Sequence, residues 1–111
     1  MIIVNATLKP KDDKKEEIIK KANDLIAESR THYGNITYNL YENVEDKTLT
    51  FIEKWESKEA LEAHMQTDIF IDFGKSTKEM LEENLKVEIY FAELLSDKPD
   101  TDVKEIRILY K

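Results

Sequence analysis

No cysteine occurs among the 111 residues, so a disulfide framework, a thiolate metal site and a thiol nucleophile are all ruled out. Glycine and proline number two each. With only Gly34 and Gly74 available, no loop can cradle a phosphate and no glycine-flanked nucleophile elbow can form. The two histidines, His32 and His64, have no i, i+4 pairing, and the acids show no calcium-loop spacing, so no bound metal is expected. Long apolar runs are also missing. Nothing reaches bilayer length and the N-terminus has no signal-like apolar core, which predicts no membrane association and a cytoplasmic location. Lysine and arginine (17) are outnumbered by aspartate and glutamate (24), a net charge of −7 that would repel a phosphate backbone. Nucleic acid is therefore not an expected partner.

What is present is apolar periodicity on a heavily charged background, 41% hydrophobic and 37% charged, the composition of one folded domain over residues 1–111. Ile2 to Leu8 alternates as a first strand, with Asn5 an amide among hydrophobes. After a turn at Pro10, the pair Asp13 and Glu16 has capping-box spacing and predicts a long helix with Ile18, Ile19, Ala22, Leu25, Ile26 and Ser29 buried, ending before Gly34. His32, near that end, reads as a surface residue favoured by the helix dipole. Ile36 to Glu42 and Thr48 to Trp55 are strands joined by a polar hairpin loop, hence antiparallel. Phe51, Glu53 and Trp55 share one face of the second of these, setting a carboxylate beside an indole.

Ser57 is placed to cap the helix that follows, and Ala60, Leu61, His64 and Met65 form its apolar stripe, so His64 points toward the sheet. A short helical segment carries Ile69, Phe70 and Phe73 on one side. Gly74 is expected to interrupt it, and Ser76 to Glu79 has the spacing of another capping box. Val87 to Leu95 alternates as a fourth strand. Residues 96–102 read as a loop, and Val103 to Tyr110 as an additional, edge-like C-terminal strand.

Strand, helix, strand, strand, helix, strand is the split βαβ order of a ferredoxin-like α+β domain (residues 1–95), with helices on one sheet face. Several strands carry apolar residues on both faces: Ile2 and Ile3, Leu40 and Tyr41, Phe51 and Ile52, Tyr90 and Phe91. A second copy of the same sheet is the simplest cover, so a homodimer through sheet faces is expected. An apolar face of several hundred Å² would contribute on the order of 10 kcal/mol before association costs.

The run from Glu53 through Trp55, Ser57 and Leu61 to His64, followed by Thr67 and Phe70, resembles the signature of the antibiotic biosynthesis monooxygenase family, whose members are dimeric α+β barrels. Gly34 to Glu42 is similar to that family's second strand. The resemblance covers roughly Ile2 to Leu95 and leaves the C-terminal strand outside. It implies a pocket between sheet and helices in which a quinol-like or polyketide-like aromatic reacts with dioxygen without flavin, metal or other cofactor. In that scheme His64 is the base, Asn5 a polar group near oxygen or substrate, and Trp55 and Glu53 match the family's strand pair at the substrate; Tyr38 and Phe73 are further candidate substrate contacts, and Glu53 reads as a helix-capping or subunit-bridging carboxylate before a proton carrier.

The chain departs from the family where Thr67-Asp68-Ile69-Phe70 lacks a second histidine, which disfavours any mechanism needing two imidazoles there. The haem-degrading branch places a tryptophan where this chain has His64 and an axial histidine where it has Phe73-Gly74, so haem degradation is disfavoured. Beside the enzymatic reading stands a noncatalytic ligand-binding or stress-related barrel in which His64 is a packed core imidazole. A third reading is an isomerase-type enzyme in which His64 only moves a proton.

Overall fold

The computed structural model describes residues 1–97, so the expected C-terminal strand and most of the preceding loop lie outside the described residues. The alternating segments form β1 (Ile2–Leu8), β2 (Asn35–Glu42), β3 (Leu49–Trp55) and β4 (Lys86–Phe91), and the 3.6-residue patterns form α1 (Lys15–Ser29), α2 (Lys58–Met65) and α3 (Asp68–Thr77). The strands build one antiparallel sheet in the order β2-β3-β1-β4, the ferredoxin-like arrangement. Register places Ile2 opposite Trp55, Val4 opposite Glu53 and Ala6 opposite Phe51. Residues opposite one another share a face. Ile2, Val4, Ala6, Leu8, Tyr38, Leu49, Phe51 and Trp55 are accordingly buried together beneath Ile18, Ala22 and Leu25 of α1 and Ala60 and Leu61 of α2.

Three local readings are corrected. Helix α1 starts one residue later than the Asp13/Glu16 pattern suggests: its N-cap is Lys14, with no side-chain cap, so backbone and packing set the start. Gly74 does not break α3, which continues to Thr77 and tightens into a 3-10 turn over Lys78–Met80. The hydroxyls of Ser76 and Thr77 bond back to the Phe73 carbonyl (3.3 and 2.7 Å) instead of opening a new helix. The Ser57 cap is present as read: its Oγ accepts from Ala60 N at 3.1 Å.

Two backbone features close the ends of the fold. Gly34 turns the chain from α1 into β2 at φ +76°, and its carbonyl accepts from Glu56 N at 2.8 Å. At the other end Pro10 bridges Leu81; Lys11 N donates to Met80 O and Glu82 N to Lys9 O, both at 2.8 Å. Proline fits there because its neighbours carry both bonds. That tie anchors the segment after α3 against the end of β1.

Among the described residues nothing covers strand β4. Its Val87, Ile89 and Phe91 lie on the helix-side face, opposite Ala6, Val4 and Ile2, yet all three are exposed. The helix-free face carries Tyr41, Ile52 and Tyr90, also exposed, among threonines, lysines and Glu88.

Candidate active site

Between the sheet, α3 and the segment 81–85 lies a cavity of about 470 Å³. Its floor is Tyr38, Phe51 and Glu53, all buried; Leu8, Leu25, Phe70 and Phe73 wall it, and the exposed Lys78, Glu79, Glu82 and Glu83 stand at its rim. The Phe51 and Phe73 rings meet edge to face (5.6 Å, 84°), and Tyr38 packs at 5.7 Å from Phe51. An apolar hollow with few polar groups at its end is the usual form of a small-molecule site.

The polar end is Glu53. Its Oε1 accepts from Trp55 Nε1 at 3.0 Å, and Tyr38 of β2 lies opposite it in the sheet. Burial pushes its carboxyl from the ordinary 4.5 up to about 7, Trp55 and Tyr38 holding it back only in part. Burial, followed by the neighbouring Glu53 charge, raises the Tyr38 phenol far above its usual range, so it stays a neutral hydroxyl. Ser29 Oγ, fully buried, lies near that phenol and favours its ionised form slightly, without a hydrogen bond of ordinary geometry.

His64 is buried as expected but does not line this cavity. Trp55 (centroids 4.6 Å apart), Phe70 (5.0 Å) and Tyr38 (5.3 Å) surround its ring. Its Nε2 meets the Tyr38 hydroxyl at 3.4 Å and its Nδ1 meets Nδ1 of His32 at 2.9 Å. Burial, followed by His32, lowers its pKa from 6.5 to about 4, so it is a neutral imidazole at physiological pH. Trp55 too sits behind the floor, reaching the cavity only through Glu53.

The structure thus gathers Tyr38, Glu53 and Phe73 at the pocket and puts His64 and Trp55 in a layer behind them. Asn5 is not brought there. It alternates with the buried Val4 and Ala6, pairs with Ile52 and Glu88, and lies on the helix-free face with the sheet between it and the imidazole.

His32 was missed by sequence reading: only partly exposed, it folds back from the end of α1 to meet His64, and its Nε2 pairs with Glu28 at 3.3 Å. The i, i+4 spacing of Glu28 and His32 was the available signal. Among the described residues no group of three or more His, Asp or Glu side chains is placed to hold a metal ion, and no helix is long and apolar enough to cross a membrane.

Sheet, helices and an aromatic-walled pocket with a buried carboxyl at its floor define a ferredoxin-like α+β protein. Residues 1–76 match the family described as antibiotic biosynthesis monooxygenase. The chain is 38% identical over 88 residues to "Putative monooxygenase YcnE" of Bacillus subtilis, covering 78% of this chain and 93% of that protein. It is 37% identical over 90 residues to the Synechocystis sp. protein sll1783, covering 80% of this chain but only 61% of that longer relative. Among solved structures, a conserved protein from Methanosarcina mazei superimposes with a TM-score of 0.80 at 28% identity, covering 83% of this chain and 92% of the other. The chain belongs to the antibiotic biosynthesis monooxygenase family.

Proposed function

We propose that the protein is a monooxygenase that oxidises a small quinol-like or polyketide-like aromatic with dioxygen and needs neither flavin nor metal. The observation that carries this reading is Glu53: a single carboxyl at the floor of an aromatic pocket, raised to about 7 by burial. At neutral pH such a group is ionised in a sizeable fraction of molecules and is far more basic than a surface glutamate, the poise that a general base needs. It takes a proton from the bound phenol or from an activated C–H, and the aromatic walls exclude water from the resulting anion. The electron-rich anion reduces dioxygen directly. For an anthrone the balance is one substrate and one dioxygen giving an anthraquinone and one water, all four electrons coming from the substrate.

In this reading Glu53 accepts the proton, Tyr38 stays a neutral phenol on the floor beside it, and Phe73 and Phe51 hold the ring. His64 acts through Tyr38 and not on the substrate. Trp55 fixes the carboxyl. A second copy of the chain covers the apolar side chains left open on the sheet, among them Tyr41, Ile52 and Tyr90, as a homodimer.

Oxygen uptake with a panel of hydroquinones and anthrones tests the activity. The parent is expected to consume oxygen above the buffer rate and Glu53→Gln to fall toward it. Tight aromatic binding without uptake would favour a noncatalytic binding protein. Sedimentation tests the assembly, a stable monomer at micromolar concentration being the contrary result.

A further inference from the structure

The cavity floor is buried, yet a carboxyl there that titrates must exchange its proton with water. A file of polar groups leads away from it, beginning with Tyr38, which lies opposite Glu53 in the sheet. The Glu53 carboxyl neighbours the Tyr38 hydroxyl; that hydroxyl meets His64 Nε2 at 3.4 Å; His64 Nδ1 meets His32 Nδ1 at 2.9 Å; and His32 Nε2 meets Glu28 Oε2 at 3.3 Å. The far end is in solvent, the Glu28 side chain being 49% exposed. We propose that Glu53, Tyr38, His64, His32 and Glu28 form a proton conduit between the floor of the cavity and the surface of α1.

The proton arithmetic fits the geometry. Two facing Nδ1 atoms at hydrogen-bonding distance share one proton. If His64 holds it, His64 Nε2 is bare and accepts from Tyr38, while His32 Nδ1 is bare and its Nε2–H donates to Glu28. Each ring then carries one proton, and the Tyr38–His64, His64–His32 and His32–Glu28 contacts each join one donor to one acceptor. When Glu53 has been protonated by substrate, its proton passes to the Tyr38 oxygen and the phenol proton to His64 Nε2. The His64 Nδ1 proton then passes to His32 Nδ1, and the His32 Nε2 proton to Glu28. The result is an ionised Glu53, an intact phenol, two neutral imidazoles and a protonated Glu28 that loses its proton to water. One proton has moved, the phenol and both imidazoles are neutral again, and Glu53 alone carries a charge in the interior. The low basicity of His64 suits it to this role, since it stays neutral and singly protonated.

The titratable groups around the path are its own members: Glu53 from β3, Tyr38 from β2, His64 from α2, and Glu28 and His32 from α1 and the turn beyond it. Helix α3 contributes the Phe70 ring, and the nearby Arg30 is held by the Tyr38 carbonyl (3.2 Å) and Asn39 Oδ1 (2.9 Å). This inference rests on Glu53 as the proton acceptor, and the test separates the two.

Trp55 is the single tryptophan and its Nε1 is bonded to Glu53, so its emission reports the charge on that carboxyl without any substrate. After a photoacid pH jump near neutrality, the parent is expected to show a fast emission change that is absent in Glu53→Gln. In His32→Ala the same change is expected to slow about a hundredfold, the low end of what positioned proton-transfer groups contribute, and added imidazole to restore it. Glu28→Gln, on the exposed face of α1, should slow it severalfold and carries the test if His32→Ala does not fold. A Glu53-dependent signal whose rate is the same in the parent and in the folded variants overturns the conduit and leaves the base in place. A signal that persists in Glu53→Gln overturns Glu53 as the titrating group, and the conduit with it.

Discussion

Trp55 Nε1 donates to Glu53 Oε1 across 3.0 Å, from two positions along the same buried edge of β3, and this bond is what fixes a carboxyl inside an aromatic layer. The bond satisfies the N–H of a fully buried indole, which left unpaired would cost about 1–3 kcal/mol. The pair is therefore structural for the tryptophan and functional for the glutamate.

Burying that carboxyl makes stability depend on pH. Its folded value, about 7, lies above the ordinary 4.5, so the protonated form favours folding. The contribution is fully present below about 4.5 and is lost as pH rises through 7, a change on the order of 3 kcal/mol. His64 works in the opposite sense: depressed from 6.5 to about 4, it contributes stability above 6.5 that is lost as pH falls through 4. Between these limits the two slopes oppose one another. Urea unfolding of the parent across pH 4.5–6.5 is expected to be nearly flat, whereas Glu53→Gln should gain stability over that interval and exceed the parent at pH 8. Parallel curves for the two proteins would contradict a buried, titrating Glu53.

Gly34 is required twice over. Its φ of +76° disfavours any side chain, and a Cβ there would overlap the Ala60 methyl. Gly34→Ala is expected to lose about 2–4 kcal/mol by thermal or urea unfolding. Adding Ala60→Gly should recover part of this by removing the overlap, while leaving the backbone strain and adding about 1 kcal/mol for a glycine in a helix. Full recovery in the double variant would show that the backbone conformation costs nothing.

Gly74 presents the contrary case. It lies within α3, lines the cavity, and a Cβ added to it meets nothing within 4 Å. Gly74→Ala should raise stability by about 0.5–1 kcal/mol. It should also shrink the cavity mouth and weaken binding of the bulkier aromatics in a fluorescence titration. A stability gain with unchanged binding of every ligand would remove Gly74 from the pocket's design.

Ser57→Ala is expected to cost about 1 kcal/mol, the value of a side-chain N-cap. Because α2 carries His64, the same change should make the His64 ring more exchangeable by NMR, and unchanged stability would show that the cap is idle.

Much of this was readable from residue order. The alternation in β1 and β3, the buried stripe of α1, the Ser57 cap and the inward His64 all follow from local periodicity, which one chain displays without its neighbours. The site needed pairing information. Ile2 and Ile3 are both apolar, so β1 alone does not say which face meets the helices; the register with β3 does, and it sends Asn5 to the far side. That Tyr38 stands between His64 and the cavity depends on the bulge near Asn35 and Thr37, where β2 shifts register, and no local pattern marks it. His32 reaches His64 only because the chain turns at Gly34, so a residue that reads as surface becomes half of an imidazole pair.

The most direct test of the central claim is the pH dependence of kcat/KM for oxygen consumption on the best substrate of the hydroquinone and anthrone panel, in the parent and in Glu53→Gln. The account predicts that the parent's rate rises through a single ionisation near pH 7 and that the variant loses about a hundredfold or more and that ionisation with it. A variant that keeps both the rate and the ionisation of the parent would contradict Glu53 as the base.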